Sequence, residues 1–290
     1  MRFILGTATF GSDYGVLNGT EVMNEKVCMD LLAEAGRLGI SALDTAREYG
    51  SAQEIIGHFH ESSPVFEVYS KFKQINSFTP TDLENELNKS LGLLKVKKLA
   101  GLLFHNPKEL FNHPLSQVKE TLKYLLSTGK VNMLGASVYQ ESELEEISGM
   151  FPEIRLFQVP ENIMDQRLID SKIIKKLKME GYVFHVRSVF MQGLLLAETE
   201  QLDKVERNLQ TEVVKFQSYC NQQDLSQLQA CIAYLNELKW ADRFIIGAVN
   251  PLQLFQIVNN LTTNRKLANL PDPFRPAHVD PRNWSYQLKL

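Results

Sequence analysis

The sequence predicts an α/β protein of the (β/α)8 TIM-barrel class, and three observations carry that expectation. Short β-rich runs alternate with longer amphipathic stretches along all 290 residues. Some of the short runs, such as LLF at 102–104 and FII at 244–246, are continuously apolar, the pattern of parallel strands buried on both faces beneath helices. Length and a count of eight βα units favour closure, since such barrels typically need about 250 residues. No G-x-G-x-x-G follows the first strand, which argues against an open dinucleotide-binding sheet.

Strands are expected near 3–7, 41–44, 66–70, 100–104, 132–137, 155–159, 182–187 and 243–246. Helices are expected near 24–38, 51–60, 80–94, 116–128, 140–149, 170–180, 224–239 and 250–262. The first helix shows the logic. Val27, Leu31, Ala35 and Leu38 recur at spacings of three and four, with polar residues filling the other face. Asn24 reads as its N-cap and Gly39 as its stop. Residues 1–290 read as one barrel domain, with an inserted helix or long loop near 190–223 and an irregular, Pro-rich tail at 265–290 that lies across one mouth.

Composition narrows the function classes. The net charge is -3, so no basic excess draws in nucleic acid or an anionic membrane. The three cysteines, Cys28, Cys220 and Cys231, form no C-x-x-C pair, which fits a reducing compartment and no zinc site. No apolar run reaches the ~18 residues of a membrane span. MRFILGTATFGSDYG reads as a first strand instead of a signal peptide, which leaves the cytoplasm as the expected compartment.

In this barrel class reactive groups project from the C-terminal ends of strands. Asp44 and Tyr49 follow the second strand, Lys71 ends the third and His105 the fourth. Ser137 ends the fifth, Gln158 the sixth, Arg187 and Ser188 the seventh, and Gly247 the eighth. A carboxylate, a phenol, an ammonium and an imidazole at neighbouring strand ends suit carbonyl reduction. The phenol donates a proton as hydride arrives at carbon. A buried lysine beside it is expected to lower its reference pKa of about 10, and Asp44 supplies the lysine's counter-charge. The imidazole orients the carbonyl, and proton transfer so positioned contributes about 10²–10⁴-fold in rate. Singly, each residue has a plain structural reading: an ion pair, a packed tyrosine, a satisfied core histidine.

These residues sit in motifs that resemble the aldo-keto reductase superfamily from about residue 4 to 262. Asp44, Ala46, Tyr49, Gly50, Ser51, Glu54 and Gly57 follow its D-x-A-x-x-Y-G-x-[SA]-E-x-x-[IL]-G pattern with one extra residue before the glutamate. S-K at Lys71, L-x-x-H-x-P at His105, GKVNMLGASVY, Gln158 with Asn162, VFMQGLL and IIGAVNPLQL are similar to its later motifs. The resemblance implies a reversible, NADP- or NAD-dependent reduction of an aldehyde or ketone, sugar-like substrates included. It makes Tyr49 the general acid/base, tuned by Lys71 and Asp44, with His105 orienting the substrate. It places the nicotinamide near Ser137, Gln158 and Arg187, the phosphates near Ser188 and Gln192, and the adenosine end near Gly247, Asn250 and Gln253. The implied partner is a small carbonyl or alcohol, with no metal.

Departures from the family pattern are also informative. Val138 replaces the usual Asn after Ser137, and Arg187 replaces the aromatic residue that stacks on nicotinamide. Gly247, Val249 and Gln253 provide no cation for a 2′-phosphate, which brings NAD into consideration. Substrate choice is expected in the segments 11–19, 106–114 and 190–223, with Tyr14, Phe111, Phe190 and Trp284 as apolar walls and Asp13, Asn106 and Glu161 as polar ones. Two rival readings stand beside the reductase. One is a cofactor-binding regulatory or weakly active relative; the other is a barrel lyase or hydrolase without nicotinamide.

Overall fold

The computed structural model describes residues 2–12, 15, 22–63, 66–75, 77–262, 266–280 and 284. Strands and helices alternate: β1 (Phe3–Gly6), α1 (Glu25–Arg37), β2 (Ala42–Asp44), α2 (Ala52–Ser62), β3 (Glu67–Lys71), α3 (Pro80–Leu94), β4 (Gly101–Phe104) and α4 (Leu115–Ser127). The second half runs β5 (Leu134–Ser137), α5 (Glu141–Met150), β6 (Ile154–Pro160), α6 (Lys172–Met179) and β7 (Val183–Arg187). It finishes with α7 (Arg207–Gln222), α8 (Gln227–Glu237), β8 (Arg243–Ile246) and α9 (Pro251–Asn259). Each strand pairs in parallel with the next, and β8 pairs with β1, so the sheet is a closed barrel. The expected fold is therefore the observed one. All eight expected strands overlap observed strands, with ends differing by a residue or two.

Local chemistry sets the helix ends. The Asn24 side chain accepts a hydrogen bond from the Val27 amide, and the chain leaves α1 through Gly39 at φ 79°. Thr79 caps α3 ahead of Pro80, whose missing N–H costs nothing in the first turn. Such caps are each worth about 1 kcal/mol. The larger stabilisation comes from two apolar layers. The outer strand faces pack on the helices, with Leu31, Leu43, Phe104, Phe157 and Phe184 fully or almost fully buried. A separate, smaller cluster of Ile4, Ala42, Tyr69, Leu103 and Leu156 fills the lumen.

The segment after β7 contains two 3-10 stretches, Met191–Leu196 and Thr199–Lys204, and then α7, which buries Leu209, Val213 and Phe216. The C-terminal segment binds the loop after β6: the Phe274 amide donates to Met164 O at 2.9 Å and Gln166 Nε2 to Pro271 O at 2.9 Å. Tyr219 OH of α7 donates to Asn269 O. Phe274, Val279 and Trp284 are buried there. Among the described residues no helix is long and apolar enough to cross a membrane.

Candidate active site at the barrel mouth

Side chains alternate faces along a strand. Two residues on from the lumen-filling Ile4, Ala42, Tyr69, Leu103 and Leu156 stand Gly6, Asp44, Lys71, His105 and Gln158. The same step leads from Gly135 to Ser137, from His185 to Arg187 and from Ile245 to Gly247. All eight positions thus form the top layer of the barrel interior. At β1 and β8 that layer carries glycine; the space over Gly6 is taken by the Ile245 side chain, 3.0 Å from where a Cβ would stand, so the layer is open only at Gly247, on the strand next to Arg187. A Cβ added at Gly247 would meet nothing within 4 Å.

The structure brings the four expected catalytic residues together. Lys71 Nζ lies 2.6 Å from Asp44 Oδ2 and donates to Thr45 O at 3.2 Å. Both charged side chains are almost fully buried, so the pair interacts in a low-dielectric surround where losing either partner is costly. Lys71 Nζ also sits 5.2 Å from the centre of the Tyr49 ring. The Tyr49 and His105 rings meet edge to face with centroids 6.1 Å apart. His105 Nδ1 lies 2.7 Å from Glu48 Oε2. This contact is the first reason why the Glu48 carboxyl is held below its ordinary value.

One electrostatic expectation is corrected. Tyr49 was expected to be lowered by Lys71, but its phenol is pushed upward, first by desolvation and then by the negative charge of Asp44, with Arg187 opposing. The physical reason is burial, which penalises the phenolate, together with the Asp44 carboxylate, which also pairs with Lys71. Tyr49 consequently keeps its proton at neutral pH, the state a proton donor requires.

The tyrosine's backbone is held by close packing. A Cβ on Gly11 would come within 2.2 Å of Tyr49 O and 2.4 Å of Ser51 N. Gly50 faces Gly11 with φ 51°, a left-handed conformation that glycine adopts without steric cost.

The expected cofactor residues divide into three groups. Gln158 is fully buried; its Nε2 donates to Asp44 Oδ1, while its Oε1 has no hydrogen-bond partner. Ser137 stands beside it in register. Val138, of opposite parity, lies in the outer apolar core. Ser188 and Gln192 lie in a strained loop, with φ 60° at Ser188, 46° at Met191, 55° at Gln192 and 90° at Gly193. Left-handed non-glycine residues cost on the order of 1–3 kcal/mol each and cluster at functional sites. Asn162 Nδ2 holds this loop through Ser188 O at 3.1 Å. Asn250 and Gln253 are engaged locally: Asn250 Oδ1 accepts from the Gln253 amide and Gln253 Oε1 from the Val249 amide, capping α9.

Arg187 is not free to act as a ring platform in the way the missing aromatic would. Its guanidinium stacks on Tyr139 at 4.1 Å and donates to Val138 O and Ser188 Oγ, each at 3.3 Å. Glu161 is removed from the expected substrate wall, since it is fully buried and accepts from Tyr234 OH and the Leu168 amide. Phe190 and Trp284 are likewise packed into the core, whereas Phe111 is exposed. Asp13 and Tyr14 fall outside the described residues.

Glu48, Tyr139, Gly11 and His185 were not singled out from the sequence. Tyr139 was recoverable, because it stands two positions beyond Ser137 and so shares its parity. His185 lies below the site, edge-on to Tyr69 at 4.6 Å. Burial, with Arg243 and Lys71 adding, drives its imidazole down to about 3, so it adds no cation beneath Lys71. Glu48 and Gly11 lie in loops, where no period assigns a direction.

The fold and this cluster define the class: a (β/α)8 barrel with titratable groups gathered at the rim where such barrels place their chemistry. The chain belongs to the aldo/keto reductase family, whose sequence profile matches residues 2–267. It is 25% identical over 216 residues to the NADH-specific methylglyoxal reductase of Escherichia coli (strain K12), a match spanning 67% of this chain and 65% of that relative's length. Among solved structures it resembles the glycerol dehydrogenase of Gluconobacter oxydans, with a TM-score of 0.70, 19% identity and coverage of 92% of this chain and 88% of that one. A Pseudomonas aeruginosa protein titled an aldo-keto reductase superposes with a TM-score of 0.66 at 21% identity, over 90% and 89% of the two chains. At these identities the structural likenesses speak for the fold alone.

Proposed function

We propose that the protein is a nicotinamide-dependent reductase that converts a small aldehyde or ketone to the alcohol, reversibly. The observation that carries this reading is the convergence of Asp44, Lys71, Tyr49 and His105 at one end of the lumen, although they lie far apart along the chain. Tyr49 is the proton donor to the carbonyl oxygen. The Lys71–Asp44 pair fixes the electrostatics beneath it. His105, held by Glu48, orients the carbonyl.

A bound nicotinamide supplies the hydride. The residues present fit such a group. The buried, unpartnered Oε1 of Gln158 is an acceptor suited to a carboxamide N–H. The strained loop at 188–193, with Ser188, Met191 and Gln192 in left-handed conformations beside the strand end, is the segment assigned to the phosphates. Open space over Gly193 and Gly247 leaves room for the remainder. No cation follows β8 until Arg265, and the Escherichia coli relative is NADH-specific, so NAD is the proposed cofactor. A cytoplasmic location completes the reading.

Parallel titration with NADH and NADPH, followed by fluorescence and melting temperature, tests the class. NADH is expected to bind more tightly, and failure of both would end the proposal in favour of a barrel without nicotinamide. Tyr49→Phe is expected to keep NADH affinity within a few-fold and to cut turnover at least ~100-fold. A wild-type protein that binds NADH but reduces none of a panel of aldehydes and ketones would instead be the regulatory relative.

A further inference from the structure

We infer that Arg187 is a receptor for an anion carried by the substrate, so that the preferred substrate is an oxo acid whose carboxylate docks on this guanidinium while its carbonyl faces Tyr49. This rests on the reductase reading above and names its substrate class.

The charged groups around the mouth are paired, with one exception. Lys71 is matched by Asp44 at 2.6 Å, and the Glu48 carboxylate is taken up by His105 Nδ1 at 2.7 Å. Arg167 holds Asp165 through two bonds of 2.7 and 2.9 Å. Of the charged side chains in the top layer of the lumen, Arg187 is the one for which no carboxylate lies within ion-pair distance among the described residues. Asp165 is near enough to feel it, but is already committed to Arg167. Arg187 Nε is buried and has no hydrogen-bond partner.

A half-buried guanidinium with no counter-ion is costly to maintain, and its planar fork matches a carboxylate in a bidentate manner. This one is also ordered in advance. The ring of Tyr139 lies against its face, and Val138 O and Ser188 Oγ fix its edge, so little side-chain entropy remains to be lost on binding. Its position suits a substrate group: it ends the strand beside the open space over Gly247, and its charge reaches the Tyr49 phenol. The strained run at 191–193 lies beyond the strand end and is the segment assigned above to the phosphates, so the strand-end cation is left for the reacting molecule. A substrate carboxylate on Arg187 would also offset the guanidinium charge beside a bound nicotinamide, which would become cationic on giving up hydride.

The test compares two- to five-carbon oxo acids, each against its methyl ester, with NADH as reductant. For the best acid, kcat/KM is expected to exceed that of the ester by at least ~10-fold. Arg187→Met should abolish this preference and Arg187→Lys should retain part of it, with melting temperatures confirming that both variants are folded. Oxamate and succinate, which are not reduced, should bind the NADH-loaded protein at least ~10-fold more tightly than they bind NADH-loaded Arg187→Met. Esters equal to or better than every acid would overturn the inference. So would an Arg187→Met protein that loses NADH affinity while keeping the acid-to-ester ratio, since the guanidinium would then serve the cofactor's phosphates. If the wild-type protein bound neither NADH nor NADPH, the reductase reading itself would fail, an outcome distinct from the other two.

Discussion

Two buried carboxylates, one on each side of the rim, show how the same group is put to different uses. Asp44 at the top of the lumen faces an ammonium at 2.6 Å and the amide of Gln158. Glu161, under the loop after β6, has only neutral donors among the described residues, the Tyr234 hydroxyl and the Leu168 amide. Burial raises Glu161 to about 8, with Asp165 adding and the Tyr234 bond opposing. A cation partner keeps charge available in a dry site, whereas neutral partners leave a carboxyl that gains from holding its proton. The first arrangement suits proton transfer and a charged reaction field. The second anchors the loop whose Asn162 holds Ser188, and so supports the site from outside the lumen.

Removing one partner of the lumen pair should have the largest effect on this contrast. Lys71→Met strands Asp44 in the lumen and should cost about 3–5 kcal/mol in urea denaturation. The double variant Lys71→Met/Asp44→Asn should recover most of that stability without recovering turnover. A loss below about 1 kcal/mol in the single variant would mean that the two carboxylates are not energetically different.

A smaller effect should come from Glu161→Gln. The unfolded chain releases the glutamate proton near 4.5, whereas the folded protein keeps it to about 8. Between these values the folded state holds a proton that the unfolded state has lost, so wild-type stability falls as pH rises through the window. The variant should remove that slope, gaining about 3–4 kcal/mol over wild type at pH 8 relative to pH 5. Burial of neutral His185 gives the opposite trend, with stability lost as pH falls below about 6.5, but it acts equally in both proteins and cancels in the difference. An unchanged slope would show that Glu161 does not carry its proton in the fold.

The smallest effect on the contrast itself should follow from Gly11→Ala, which alters neither carboxylate. The added methyl meets the Tyr49 and Ser51 backbone and should displace the phenol, lowering kcat at least ~10-fold while costing about 3 kcal/mol of stability. A variant with wild-type kcat would mean that Tyr49 does not depend on this contact for its position.

Much of this was legible in the sequence, for identifiable reasons. Continuous apolar runs and 3.6-residue periods located β4, β8 and α1, because burial on two faces or on one stripe leaves a local pattern. Strand-end position identified Asp44, Lys71, His105, Gln158 and Arg187, because a period of two fixes which side chains share the lumen. The pairing of Glu48 with His105 had no such signature, since loops carry no period. The burial of Glu161 against Tyr234 was equally hidden, because the two are 73 positions apart and meet only when β6 and α8 pack.

The sequence by itself determined the alternation of elements, the closure into eight strands and the residue types available at the rim, since these follow from local periodicity and chain order. The tertiary structure alone decided which charges are matched. It joined Lys71 to Asp44, raised the pKa of the Tyr49 phenol and left Arg187 stacked on Tyr139 with no counter-ion among the described residues. Pairing and desolvation depend on distances of a few ångströms between segments far apart in the chain, and no local pattern encodes them.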